Sequence, residues 1–300
     1  MQALIDKLYQ RLKSCDICPR NCKVNRLENQ KGYCQIAKEL IVYTSFLHQG
    51  EEPAISGKNG SGTIFFSGCN LRCAYCQNHK FSHTREGRTL SEEELAGIMI
   101  DLQNQGAHNI NLVTPTHILP QILRALMIAK KSGLVIPLVY NTSGYEKEEI
   151  IRKLEGVVDI YMPDLKYLSP VSAKLYSRAP DYAKFALKSL KEMHRQVDPL
   201  FEQNLLKKGL IVRHLVLPGH IRESKSILSW IKKNTPKALV SLMFQYQPYF
   251  KAADYPGISR PISKQEYLEI KGFIENLHLK GWVQDFQPNE GLAGPYFNPD

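Results

Sequence analysis

The stretch Phe65-Phe66-Ser67-Gly68-Cys69-Asn70-Leu71-Arg72-Cys73-Ala74-Tyr75-Cys76-Gln77-Asn78 sets three thiols at C-x3-C-x2-C directly behind the short apolar run 63–66. That run, Thr-Ile-Phe-Phe, is β-branched and aromatic, so it reads as a buried strand ending at a cysteine loop. Gly68 permits a tight turn into the loop. Three thiolates hold three of the four irons of a cubane and leave the fourth open. An open metal position is a place for chemistry, whereas four-cysteine sites are closed and serve structure or electron transfer. A zinc ion borrowing His79 or His83 as fourth ligand is the other reading of this spacing.

Downstream of Gly62, short apolar runs alternate with longer amphipathic ones, the pattern of βα units laid around a parallel sheet. Strands are expected at 63–66, 109–113, 134–140, 157–162, 210–217 and 238–244, with helices at 119–131, 147–154, 182–195 and 224–233. A further helix opens at Ser91, which has Glu94 three residues on, a capping box. About six repeats fall short of the eight of a closed barrel. The expected fold is therefore α/β, a partial (β/α)6 barrel.

In such folds the reactive groups gather at the carboxyl ends of the strands. That draws attention to the residues that close each run, in 113–117, 140–145 and 159–167. Arg213 sits inside the apolar run 211–217, where a buried guanidinium needs an acceptor such as Asp164. His214 faces the opposite side of a regular strand and reads as structural. Gln245 and Tyr246 end the last run and are candidates for the rim of an opening.

Upstream, Leu4, Leu8 and Leu12 mark a short amphipathic helix, and 40–46 reads as a strand. Between them, Cys15-x2-Cys18-x3-Cys22-x11-Cys34 supplies four more thiols, a closed set suited to a structural zinc or an auxiliary 4Fe-4S cluster. A disulfide framework wants an even cysteine count, a short chain and a secretory signal; seven cysteines in 300 residues fit none of these. The chain thus divides into residues 1–60, a helix, a small metal-binding knuckle of four cysteines and a connector, and residues 61–300, a barrel with C-terminal helices.

With 43% hydrophobic and 23% charged residues, the composition is that of a chain able to bury a core. No run approaches the ~18 apolar residues of a membrane span, and Asp6 and Lys7 break any leader-like stretch; a cytoplasmic location is expected. A formal charge of +10 permits a nucleic-acid partner without requiring one, since the basic residues are scattered.

The cysteine loop resembles that of radical S-adenosylmethionine (SAM) enzymes. Its wider setting, Gly50-Glu51-Glu52-Pro53 through Gly60-Ser61-Gly62-Thr63 into the loop, is similar to the pyruvate formate-lyase activating-enzyme-like (PflX-type) branch. The likeness continues through residues 113–117, 140–145, 159–167 and 213–219. It implies a 4Fe-4S cluster on Cys69, Cys73 and Cys76 whose open iron binds SAM, with Tyr75 covering the cluster or the adenine. It implies SAM contacts from Asn141, Ser143, Asp164, Lys166 and Arg213. Where the family usually carries Gly-Gly-Glu, this chain has Val113-Thr114-Pro115-Thr116-His117; Thr114 and Thr116 keep hydrogen-bonding capacity but the acid is gone. Further implied are a one-electron donor such as a flavodoxin or ferredoxin and a protein glycine as the hydrogen donor. The residues by themselves also allow an RNA or small-metabolite substrate, or a non-catalytic iron-sulfur or zinc electron-transfer module.

Overall fold

Apolar runs buried on both faces pair in parallel when helices cover them, and this is how the chain folds. The computed structural model describes residues 1–286; the end of the second expected segment, 287–300, lies outside the described residues. Helix α1 (Gln2–Arg11) leads through the cysteine knuckle to strand β1 (Leu40–His48), the single turn α2 (Pro53–Ser56) and β2 (Ser61–Phe66). After the three-cysteine loop come α3 (His79–Ser82), β3 (Arg88–Leu90), α4 (Glu92–Asn104), β4 (Ile110–Val113), α5 (Leu119–Lys131) and β5 (Leu138–Thr142). The chain continues as α6 (Glu148–Arg152), β6 (Ile160–Pro163), α7 (Pro170–Ser177), α8 (Tyr182–Gln196), β7 (Leu200–Glu202) and β8 (Leu205–Leu215). It ends with α9 (Ile221–Asn234), β9 (Leu239–Met243), α10 (Lys264–Leu277) and β10 (Gly281–Val283). None of the helices among the described residues is long and apolar enough to cross a membrane.

The strand order is β10-β9-β8-β6-β5-β4-β2-β1-β3, with β7 a hairpin partner of β8. From β2 to β10 every neighbouring pair is parallel, while β1 runs antiparallel to both β2 and β3. The two ends of this order do not meet, so the sheet is open, as six repeats predict. The expected strand at 134–140 begins only at Leu138, because Pro137 has no N–H to donate to a ladder. Strand β10, three residues long, adds a seventh parallel strand that the sequence pattern does not announce. The Ser91–Glu94 capping box forms in full.

Side chains from β5, β6, β8 and β9 meet on the concave face: Val139, Ile160, Met162, Ile211 and Leu239 pack with Ala54 and Ile55 of α2. Asn109, just before β4, donates to the Ile55 carbonyl at 2.7 Å. The turn that follows Glu51 and Glu52 is thereby fixed at the amino ends of the strands, where it closes the floor of the barrel.

The knuckle docks on the cysteine loop through two arginines. Arg20 donates from Nε to the Asn70 carbonyl (2.8 Å) and from its two terminal nitrogens to the carbonyls of Arg178 (2.6 Å), Ser177 (3.0 Å) and Leu71 (3.3 Å). Arg26 is buried and joins the Ala37 and His117 carbonyls at 2.7 and 2.6 Å, with its guanidinium 3.7 Å from the Cys15 sulfur. His117 in turn meets the Ser67 carbonyl at 2.8 Å, and its burial lowers its pKa to about 3, so the imidazole is neutral.

Gly68 marks a close approach of the cysteine loop to the knuckle. Its φ of +83° is left-handed, and a Cβ there would stand 2.6 Å from Ile36 and 2.7 Å from the Cys34 carbonyl oxygen. Gly68→Ala is therefore expected to cost about 2–4 kcal/mol, from the left-handed penalty and overpacking together. Gly97→Ala, where an added Cβ meets nothing within 4 Å, should be neutral or stabilise by up to about 1 kcal/mol. Thermal unfolding of the two variants checks both expectations.

Candidate functional site

At the carboxyl end of β2 the chain turns through Gly68 and then Arg72, which also takes a positive φ of 55°. This double reversal brings Cys69, Cys73 and Cys76 to the wall of one cavity of about 180 Å³. Each sulfur has a polar neighbour: Leu71 N–H donates to Cys69 at 3.3 Å, the Ser177 hydroxyl donates to Cys73 at 3.0 Å, and the Ser82 hydroxyl lies 3.3 Å from Cys76. Burial pushes the Cys73 thiol up, and it pushes Cys76 up to about 12, with the neighbouring sulfurs adding to the effect. Three thiolates side by side, one buried and two partly buried, need a positive charge among them, which is what a bound iron-sulfur cluster provides. Among the described residues no three Cys, His, Asp or Glu side chains already stand in metal-coordinating geometry. The fold brings three sulfurs, each with a polar neighbour, to the wall of one cavity, and three thiols are the donor chemistry of a cluster held by three cysteines.

Opposite the sulfurs, the ends of β4, β5, β6 and β8 deliver Thr114, Asn141, Ser143, Asp164, Lys166 and Arg213 to the same cavity, and Tyr75 lines it from the loop. Arg213 Nε donates to Asp164 Oδ1 at 2.9 Å and a terminal nitrogen to Asn141 Oδ1 at 2.7 Å. Lys166 Nζ donates to Asp164 Oδ2 at 2.7 Å. Burial alone would raise the Asp164 carboxyl, but Arg213 and then Lys166 outweigh it and hold its pKa below the usual carboxylate value. Lys166 is likewise kept charged by Asp164 against the pull of burial. The strand ends are locked to one another: Tyr182 OH donates to the carbonyls of Ser143 and Asp164, both at 2.8 Å. Gly144, at φ +77°, lets this turn pass directly against the Asp164 carbonyl oxygen, where any Cβ would collide with it.

Thr114 takes φ 62°, a conformation that costs a β-branched residue about 1–2 kcal/mol. Its N–H is held by the Asn141 carbonyl at 2.9 Å. Thr116 does not line the cavity; it is buried and its hydroxyl donates to Glu146, as does that of Thr142. Among the expected site residues Thr116 is therefore set apart from the cavity, on Glu146. Burial raises the Glu146 carboxyl to about 7, so the acid missing from the run 113–117 does stand nearby in space, facing the two threonines. Tyr75 and Tyr167 share a 2.7 Å hydrogen bond, and Tyr167 lies 2.9 Å from Ser177, the donor to Cys73. Gln245 lines the cavity as expected, whereas Tyr246 is buried and donates to the Ile258 carbonyl.

Two residues that sequence reasoning gave no role complete the network. Glu51 accepts from Asn111 at 3.1 Å and lies 3.8 Å from Arg213, and Glu52 is buried beside it. Two consecutive acids before a proline read locally as a solvated turn; only the proline-led turn of α2, which tucks them under the sheet, makes them interior.

An open parallel α/β sheet with three thiols and a buried charge network at its strand ends places the protein among partial-barrel α/β folds. Residues 63–230 match the family model of the radical SAM superfamily, and the chain belongs to that superfamily. The uncharacterized protein MJ0674 of Methanocaldococcus jannaschii is 35% identical over 279 residues, which cover 89% of this chain and 76% of that protein. Among solved structures, a radical SAM methyltransferase from Sphaerobacter thermophilus aligns with a TM-score of 0.55 at 11% identity, over 78% of this chain and 70% of that one. SuiB of Streptococcus suis, bound to its precursor peptide SuiA, aligns at 0.50 and 13% identity over 72% of this chain. The match spans only 46% of SuiB. At these identities the structures share the fold, and membership of the superfamily implies a 4Fe-4S cluster and SAM.

The charge network gives a direct test. Arg213→Met leaves Asp164, Glu51 and Glu52 facing only Lys166 and is expected to cost about 3–5 kcal/mol in urea unfolding. Adding Asp164→Asn should cost less than the sum of the two single changes, because the second removes a charge the first left unpaired.

Proposed function

We propose that this chain initiates radical chemistry, with Cys69, Cys73 and Cys76 holding the 4Fe-4S cluster and Asn141, Ser143, Asp164, Lys166 and Arg213 positioning SAM beside it. The observation that carries this reading is that the three sulfurs and this polar set line one cavity. When bound, cluster and SAM supply a 5'-deoxyadenosyl radical after one-electron reduction by a donor such as a flavodoxin or ferredoxin.

The chain's own part is placement and charge. Lys166, which gives one of its three N–H groups to Asp164, keeps donors for a carboxylate, while Asp164 and the Asn141 side-chain oxygen, held in place by Arg213, offer acceptors to an ammonium group; the amino-acid end of SAM carries both. Thr114, fixed in its left-handed turn, and Ser143 add neutral polar groups. The tyrosine–serine chain behind Cys73 excludes water from the sulfur.

Resemblance to the PflX-type activating-enzyme branch supports a glycine of a partner enzyme as hydrogen donor. A cavity of about 420 Å³ beside the cysteine site favours a small-molecule substrate instead, as it lies within the range of small-ligand pockets. RNA modification has only the net charge behind it. For the knuckle we propose a structural zinc on Cys15, Cys18, Cys22 and Cys34, with an auxiliary 4Fe-4S cluster as the alternative; burial pushes the Cys18 and Cys34 thiols up, so they too call for a cation. A cytoplasmic location accords with this oxygen-sensitive chemistry.

Anaerobic reconstitution with iron and sulfide, then dithionite and SAM, should yield 5'-deoxyadenosine by chromatography. Cys73→Ala should abolish it; an intact cluster without product overturns the reading. Elemental analysis of the Cys69/Cys73/Cys76 triple alanine variant is expected to find about one zinc per chain and no iron. Residual iron with acid-labile sulfide would assign the knuckle to a second cluster.

A further inference from the structure

The 420 Å³ cavity adjoins the cysteine site across Val113, Asn141, Arg213 and Met243, which line both. A molecule within it therefore faces the place where the sulfurs converge. Its acidic part is built by Glu51 and Glu52, and its far side by Ser241 and by Trp282 and Val283 of β10.

The polar balance of this cavity is uneven. Glu52 is only 8% exposed, and its Oε2 is buried with no hydrogen-bond partner. Neighbouring Asn111, fully buried, gives its N–H to Glu51 and keeps an unpartnered Oδ1. Of the ionisable groups on the wall, Arg213 is committed to Asp164 and Asn141, and burial lowers the His48 pKa and keeps that ring neutral. Asp285 adds another acid. Gln77, Asn78, Ser241, Gln245 and Gln284 are uncharged. The wall thus carries three acids against one committed cation, and a buried carboxylate oxygen without a partner is costly unless a ligand supplies one. Burial raises the Glu52 carboxyl to about 7, with Arg213 opposing the rise and Glu51 adding to it; a cation seated on the pair would lower it again and hold both acids in the charged form.

We propose that this cavity is the substrate site and takes a small organic cation, whose ammonium or guanidinium group sits on Glu52 and Glu51 while the rest of the molecule extends toward the cysteines. The proposal deepens the radical SAM reading and rests on it for the chemistry, although binding itself needs neither cluster nor reductant. A carboxylate or phosphate in the same place would meet two acids and, among the described residues, no uncommitted cation, so the site discriminates by repulsion as well as by attraction.

The test is saturation-transfer NMR on the reconstituted wild-type protein with SAM, using n-butylammonium and n-butylguanidinium as probes and n-butyrate as the anionic match. Both cations should bind and butyrate should not. Glu52→Gln should weaken the cations about tenfold or more, whereas Glu93→Gln, on the exposed face of α4, should leave them unchanged. Butyrate binding as well as the cations, or cation affinity undiminished in folded Glu52→Gln, overturns the proposal. If Glu52→Gln does not fold, the wild-type contrast between cation and anion decides alone. Formation of 5'-deoxyadenosine is read on the same samples: its failure with intact cation binding removes the radical reading, and the reverse removes only the cation site.

Discussion

A guanidinium largely enclosed by a parallel sheet has to be answered by acceptors, and Arg213 is the group around which this barrel is organised. Its partners come from separate parts of the chain: Asp164 after β6, Asn141 in β5 and Glu51 in the loop before α2. Because each partner stands on a different strand or loop, the charge can be satisfied only when those elements are in register. The same requirement places Lys166 beside Asp164, and the positive charge of Lys166 acts on Cys73 to favour its thiolate. The electrostatics of the sheet and those of the cysteine loop are parts of one arrangement. Lys166 and Arg213, with Asp164 between them, line the cavity of the three cysteines, and Arg213 also faces the acids Glu51 and Glu52 of the adjoining one.

The cysteine loop owes its shape as much to the knuckle as to the strand it follows. Arg20 and Arg26 reach carbonyls on the loop, on α7 and on the turn after β4. These bonds turn two cysteine groups that look independent in the sequence into neighbours across Gly68. Anything that loosens the knuckle is felt at Cys69 through its backbone.

Much of the fold was legible because its signals are local. Six strands announce themselves as β-branched runs, Ser91 and Glu94 cap a helix within four residues, and the cysteine spacing needs no partner to be recognised. Asp164, Lys166 and Arg213 could be found because charge next to, or inside, an apolar run is costly without a reason. The remainder was hidden because it depends on distance in sequence. Thr116 has the same side chain as Thr114 two residues earlier, and only the fold decides that one faces the cavity and the other Glu146. Glu51 and Glu52 look solvated until the fold sets them beside Asn111 and Arg213. Strand β10 is too short to carry a pattern, and its pairing with β9 has no local cause.

The four carbonyls held by Arg20 have a consequence for how the protein is made. All seven cysteines lie within the first 76 residues, so they leave the ribosome before the carbonyls of Ser177 and Arg178 exist, and before Asp164 and Arg213 do. Chains fold as they emerge, and during that interval the thiols are present without the arginine clamp, the charge network or the covering hydroxyl of Ser177. Iron delivered early would meet a loop with no fixed shape. The order of synthesis therefore sets a waiting period in which the nascent cysteines need protection, and maturation of the site becomes an event of the finished barrel.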